Sequence, residues 1–320
     1  MIKVQYDLAI VGGGPIGCYG AANVQKTNDV ILFEEHKRQP IHCSGIISVS
    51  GLSKLGIKPK SSLIHKVRGA KIYSPSSVEL IIEDKKPRAY ILERSAFDQE
   101  LLNQALDRGV DVRFERIQNI KDTFLTGTKN SYEAEKTVLA TGVDYALQKK
   151  LGFKSPKKFL IGAQYDLKLE CDSDFVELHL NNPDFFNWII PTGDLCRVGL
   201  ATKDNPTPHL EAFVKSLRKE GRLRSDKIKN KTYGVIPIHD PALATSKGNQ
   251  VLVGDAAGQL KATTGGGVVM GCLASRHLSN PDYENAWRAD IGGELKKHLF
   301  IRRFLNRLTP KGKDKLVELL

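Results

Sequence analysis

Residues with the types and spacing to do chemistry gather in three glycine turns and one short cysteine-bearing run. The first turn is VGGGPIG at 11–17, where Gly12, Gly14 and Gly17 fall in a G-x-G-x-x-G spacing around Pro15 and Ile16. Glycines at those intervals permit a tight strand-to-helix turn, close backbone approach to a pyrophosphate and close helix packing. The helix start adds free N–H groups and the positive end of a dipole. Glu34 ends the next apolar run, 22 residues after Gly12, where a carboxylate can hold both ribose hydroxyls. Glu35 is a competing candidate, but Glu34 directly follows the apolar run. An acidic residue there disfavours a 2′-phosphate, so NADP does not suit this position.

The second turn, TVLATG at 137–142, is another strand running into glycine. Ala140 closes the strand, and Gly142 lets the backbone pass close to a dinucleotide. The third is longer. VLVGDAAG at 251–258 puts Gly254 and Asp255 at a strand end, and TTGGG at 263–267 opens an apolar helix through Gly265, Gly266, Gly267 and Val268. A carboxylate at 255 can accept from a ribityl hydroxyl, while the helix start can stabilise negative charge on a reduced isoalloxazine. That combination selects FAD over NAD. The plainer alternative is that Asp255 only caps its own turn.

Behind these turns stand the elements that must position them. Residues 5–11 and 30–34 read as buried parallel strands joined by a helix at 15–26. Strand-like runs fill 66–92, and a helix follows at 95–109, with short strands near 111–115 and 137–140. From 156 to 201 the chain is again mostly strand, 207–224 is helical, and a helical pattern runs from about 283 to the end. The expected fold class is therefore α/β: a Rossmann-like FAD-binding domain with a β-sheet-rich substrate cap and C-terminal helices. The expected division is 1–65, 93–155 and 234–282 for the FAD-binding domain, 66–92 and 156–233 for the cap, and 283–320 for a basic helical segment.

Bulk composition excludes several classes. At 320 residues, 41% hydrophobic and 26% charged, the chain is neither disordered nor collagenous. No uninterrupted apolar run reaches the ~18–20 residues of a spanning helix. The N-terminus runs straight into a strand pattern without a cleavable leader, so a cytoplasmic location is expected. Five scattered cysteines without a CxxC pair argue against structural zinc and against a disulfide framework. No metal site is expected, and Cys18, Cys171, Cys196 and Cys272 are read as structural.

Further runs carry a resemblance to a known family: HCSGIIS at 42–48, RSAFDQELL at 94–102, FNWIIP at 186–191, GDAAG with TGGG, and YENAWRADIGGELKKHL at 283–299. With them the chain resembles the FAD-dependent class that includes aromatic hydroxylases and, more closely, the geranylgeranyl reductases. The resemblance implies a flavoprotein that saturates C=C bonds of isoprenoid chains, such as those of archaeal-type membrane lipids. It also implies that Cys43 lies beside the flavin as proton relay, pocket-shaping residue or redox partner. A small buried residue in a glycine turn is the alternative. Ser44, Gly45 and Ser48 would offer flavin contacts, His42 would tune the thiol or simply be solvated, and Arg94 would reach the FAD ribose or pyrophosphate. Where the family reads Y-x-W-x-F-P, this chain has Phe186, Trp188, Ile190 and Pro191, expected as a wall of the isoprenoid tunnel or as an ordinary sheet face. An external donor is implied, either NAD(P)H or a ferredoxin, since one complete dinucleotide fingerprint is present. The rival readings are an aromatic-hydroxylase-type monooxygenase and a flavin- or lipid-binding protein without turnover.

The net charge of +12 is concentrated. Residues 205–231 and 294–320 each hold eight Lys/Arg against three Asp/Glu. Neither cluster interleaves aromatic residues for base stacking, so no nucleic acid partner is expected. In the tail, Ile301, Phe304, Leu305 and Leu308 recur at helical spacing among Lys296, Lys297, Arg302, Arg303 and Arg307. Such a helix either meets an anionic membrane surface transiently, as a peripheral contact, or packs its apolar stripe on the FAD domain.

Overall fold

The structure, a computed structural model, describes residues 5–37, 42–182 and 184–320. It divides into two units. One comprises Met1–Pro40, Ser95–Lys158 and Pro237–Leu299; the other comprises Ile41–Arg94, Phe159–Ile236 and Phe300–Leu320.

The first unit is built on a parallel sheet. Its central strand, Gln5–Val11, lies between Val30–Glu34 and Ser131–Leu139, both parallel to it. Asp111–Phe114 and Gln250–Leu252 extend the sheet at either side, again in parallel. The strand pair Ile117–Lys121 and Phe124–Gly127 joins antiparallel through Ser131–Leu139. Strands covered on both faces need continuous apolar runs, and all five residues of Val30–Glu34 are buried. Ile31, Phe33, Leu139, Leu252 and Phe153 form part of one core. The helices Pro15–Val24 and Val268–Ser275 approach closely at Gly20, where a Cβ would stand 3.0 Å from that of Ser275.

The second unit holds a seven-stranded sheet in the order Asn230–Pro237, Phe159–Leu167, Cys196–Thr202, Asn187–Pro191, Phe175–His179, Gly69–Tyr73 and Glu79–Glu83. Helix Pro206–Lys219 lays Leu210, Phe213 and Leu217 over Tyr165, Ile189, Val198 and Leu200 on one sheet face. A separate three-stranded sheet joins Ile46–Ser48, Ala89–Leu92 and Leu63–Val67.

Two stretches lie elsewhere than the sequence division puts them. Residues 41–65 belong to the second unit, because Ile46–Ser48 and Leu63–Val67 both pair with Ala89–Leu92. Residues 283–299 belong to the first, where Tyr283 Oη donates to the Leu252 carbonyl at 2.9 Å and Trp287 Nε1 to Thr245 Oγ1 at 2.8 Å. The helical pattern from 283 onward is also not one helix. It is broken by a π-helical turn at Arg288–Gly292 and again before Pro310, which cannot donate to a preceding ladder and so starts a new helix behind its Thr309 cap.

Of the tail's apolar stripe, Ile301, Leu305 and Leu308 are half-buried. Phe304 is 47% exposed, and Phe300 is 71% exposed. Arg302, expected among the solvated charges, is buried instead: it donates to the Asp184 carbonyl at 2.9 Å and lies over the Phe185 ring. The guanidinium thus sits over an aromatic face while the carbonyl accepts one of its N–H groups. Among the described residues, no helix is long and apolar enough to cross a membrane.

Candidate functional site

In the first unit the three sequence turns come together at the ends of the parallel strands. Gly12 has φ +112° and donates its N–H to the Phe33 carbonyl at 2.8 Å. A Cβ on Gly12 would stand 2.3 Å from the Ala140 carbonyl oxygen, and one on Gly17 would stand 1.9 Å from the Gly12 carbonyl oxygen. These two glycines are therefore demanded by the protein's own backbone, before any ligand is considered. Gly14 begins helix Pro15–Val24 without a side-chain cap, and Pro15 occupies the first turn. Such a helix start leaves N–H groups directed outward, where an anion is favoured.

Glu34 is buried at the rim of this turn. Its Oε2 accepts from the Gly13 N–H at 2.8 Å, and its Oε1 from the His36 N–H at 2.8 Å. The carboxylate is thus oriented in advance by two main-chain donors, and the His36 ring nitrogen lies 3.3 Å from Oε1. Glu35 turns instead toward Arg116, 3.4 Å away. Gly142 has φ +61°, and a Cβ there would meet open space. Its left-handed backbone, not crowding, is what calls for glycine.

Ile16 ties the first turn to the third. A Cβ on Gly254 would lie 2.7 Å from Ile16 Cδ1, and one on Gly271 would lie 2.5 Å from the same atom. Asp255 is half-buried behind Gly254, and a Cβ on Gly267 would come within 2.7 Å of its Oδ1. Gly265 has φ +69°, and Gly267 starts helix Val268–Ser275 with no side-chain cap. A carboxylate and an uncapped helix start therefore share one turn. From the far side His298 Nδ1 meets Thr263 Oγ1 at 2.5 Å, and Lys261 Nζ pairs with Glu294 at 2.6 Å. Gly13, Gly271 and His298 are not singled out by the sequence; Gly13 lies inside the glycine run and His298 inside the run at 283–299, while Gly271 carries no signal there.

These residues fit a dinucleotide cofactor. The backbone is bare where a pyrophosphate must approach, an oriented carboxylate lies at the second strand end, and the Asp255 turn offers an acceptor beside outward N–H groups. Among the described residues, no cluster of His, Cys, Asp and Glu could hold a metal ion.

The second unit presents the cysteine run. Cys43 is half-buried, and its Sγ accepts from the Gly45 N–H at 3.4 Å. The loop is clamped on both sides. Arg197 Nη1 donates to the Ser44 carbonyl at 2.5 Å and to the Leu92 carbonyl at 3.2 Å. His42 Nδ1 meets the Tyr233 carbonyl at 2.5 Å, and a Cβ on Gly234 would stand 2.8 Å from the His42 carbonyl oxygen. Gly45, at φ +77°, leaves the space that the Leu92 carbonyl and Arg197 occupy. Ser48 is exposed and caps helix Val49–Leu55 by accepting from the Gly51 N–H. Arg94 is buried as the first residue of helix Arg94–Asp107.

Strand pairing puts Arg197 opposite Ile190 and Gly199 opposite Trp188. Paired residues share a face, so Trp188, Ile190 and Arg197 project to one side of the sheet. The Trp188 ring lies against Gly199, where a Cβ would come within 2.5 Å, and its Nε1 donates to Gln164 Oε1 at 3.1 Å. Phe186 packs edge-on to Trp188 and stacks on Phe185. Pro191 is different. It pairs with Cys196, which belongs to the helix-covered core, so it projects away from Trp188 and Ile190. The Arg197 clamp escaped the sequence reading; its one trace is a cation among apolar residues in LCRVGLA.

This architecture is shared with flavin-dependent enzymes. A geranylgeranyl bacteriochlorophyll reductase-like protein of Thermoplasma acidophilum superposes with a TM-score of 0.87, at 22% identity, over 99% of this chain and 91% of that one. The flavin-dependent brominase Bmp2 superposes with a TM-score of 0.73, at 17% identity, over 99% and 93%. No family model matches the chain. In sequence it is 33% identical to an uncharacterized protein of Methanocaldococcus jannaschii, across the whole of this chain and 89% of that protein. It is 26% identical to the digeranylgeranylglycerophospholipid reductase of the same organism, across 98% and 90%. The chain belongs to the geranylgeranyl reductase family.

Proposed function

We propose that this protein is an FAD-dependent reductase that saturates C=C bonds in the geranylgeranyl chains of archaeal-type membrane lipids. The observation that carries it is the Asp255 turn, where a carboxylate stands against Gly267 at an uncapped helix start beside the glycine fingerprint. The names of the relatives supply the substrate class. Bound FAD would supply the hydride that alkene reduction requires.

The chain's own residues have distinct tasks in this reading. Gly12, Gly14 and Gly17 with the start of helix Pro15–Val24 hold the pyrophosphate, and Glu34 holds the ribose. Asp255 accepts from the ribityl chain. Phe186, Trp188 and Ile190 offer an apolar, water-excluding face to the isoprenoid. Cys43 holds or relays the proton at Sγ, in a loop that Arg197 keeps from moving. The electron donor is external, NAD(P)H or a ferredoxin. Exposed Phe300 and Phe304 beside Lys296, Lys297, Arg303 and Arg307 support transient docking on an anionic membrane surface at the cytoplasmic side.

The test is a yellow purified protein with about one FAD per chain that, reduced anaerobically with dithionite, adds two mass units per double bond to digeranylgeranylglyceryl phospholipid. A colourless protein that takes up no added FAD would overturn the cofactor. A flavoprotein that leaves every prenyl lipid unchanged would overturn the reaction.

A further inference from the structure

The Sγ atoms of Cys171 and Cys196 lie 2.7 Å apart. Cys196 is buried as the first residue of strand Cys196–Thr202, while Cys171 is partly exposed just beyond the neighbouring strand Phe159–Leu167. The chain around Cys171 is fastened rather than loose. The Glu170 N–H donates to the Arg222 carbonyl at 2.8 Å, and the Glu170 carbonyl accepts from Arg222 Nε and Nη2 at 3.2 and 3.1 Å. Leu169 bridges to Leu223, and Asp172 pairs with Lys71 at 2.8 Å. Arg222 in turn grips the buried Glu177 through both amino groups, at 3.0 and 2.6 Å.

An S–S bond is about 2.05 Å long, so closing this pair needs movement of under about 1 Å. We infer that Cys171 and Cys196 are an oxidation site that forms an intrachain disulfide, closing the segment 172–195 that carries Phe186, Trp188 and Ile190. This is independent of the flavin reading and of Cys43.

Cys171 is the attacking sulfur. It is the accessible one, and the hydrogen bond it shares with Cys196, aided by the Arg222 guanidinium, holds its thiol below the usual range against the opposing pull of burial and Glu177. The Cys196 thiol is pushed up by the same hydrogen bond and by burial. With oxidised glutathione as oxidant, the Cys171 thiolate attacks one glutathione sulfur and displaces a glutathione thiolate. Cys196 then loses its proton and attacks Sγ of Cys171, displacing the second. Two electrons pass to glutathione, and the two thiol protons end on the released glutathione.

The experiment treats the full-length protein with oxidised glutathione, alkylates free thiols and maps peptides by mass spectrometry. A linked Cys171–Cys196 peptide is expected, together with a melting temperature raised by about 5 °C that dithiothreitol reverses. Cys171→Ser should show neither, and Cys43→Ser should show both. Recovery of Cys171 and Cys196 in alkylated form, a persistent glutathione adduct on Cys171, or linkage to another cysteine would each overturn the inference.

Discussion

In the first unit, the turn after strand Gln5–Val11 is fixed chiefly by main-chain atoms, Gly12 against the Ala140 carbonyl and Gly17 against the Gly12 carbonyl, with the Gly13 N–H donating to the Glu34 carboxylate. In the second, side chains do much of the holding at the Cys43 turn: Arg197 reaches the Ser44 carbonyl from 153 residues away, and His42 meets the Tyr233 carbonyl. The first device forbids side chains at fixed spacing and so writes itself into a motif. The second relies on side chains, a cation among them, that any strand or loop might carry. A cofactor framework built from backbone tolerates almost no substitution, whereas a loop clamped by a side chain can be loosened without unfolding its unit.

The largest expected effect tests the first half of that contrast. Gly12→Ala places a Cβ 2.3 Å from the Ala140 carbonyl, at a φ of +112° that alanine strongly resists. Flavin content should fall more than about ten-fold, with soluble yield, because backbone rather than a pliable side chain must move. Normal flavin content would show that the strand ends are further apart than described.

Arg197→Met tests the second half. It removes two hydrogen bonds to carbonyls in and beside the Cys43 loop, together about 1.5–3 kcal/mol for a charged donor. Turnover on the prenyl lipid should drop about ten-fold while flavin content stays near one per chain, and Arg197→Lys should recover part of it. Unchanged turnover would mean that the clamp does not position the loop for reaction.

A smaller effect separates the site from the polar cluster on the opposite sheet face. Burial alone would raise the Glu177 carboxyl, but hydrogen bonds from His179 and Arg222 hold it below the usual range. A carboxyl depressed in the folded state stabilises fully above its unfolded value, about 4.3, and that stability is lost as pH falls below it. Denaturant melts of Glu177→Gln should therefore show a flatter acid limb, and a loss of about 1.5–3 kcal/mol at pH 7. Catalysis at neutral pH should be little changed. An identical acid limb would remove Glu177 from the account of acid stability.

What the sequence reveals follows the same division. The strand Gln5–Val11, the glycine spacings and the Asp255 turn are local and periodic, and each stands where its pattern puts it. The ends of the chain were harder. Tyr283 and Trp287 look like part of a separate basic helical segment until Leu252 and Thr245 are seen to accept their polar hydrogens. Arg302 looks solvated until the Asp184 carbonyl is found. Pro191 shares a run with Trp188 and Ile190, yet the period of two in a strand turns it to the other face. Tyr283, Trp287 and Arg302 each depend on a partner far away in sequence, which no local pattern records, whereas the facing of Pro191 follows from strand alternation alone.

The most direct test of the central claim is the flavin spectrum during a single anaerobic turnover. Dithionite should bleach the bound FAD, and adding digeranylgeranylglyceryl phospholipid without oxygen should restore the oxidised bands, with one saturated double bond per flavin. A reduced flavin that stays bleached with every prenyl lipid, yet reoxidises in air, would contradict the account.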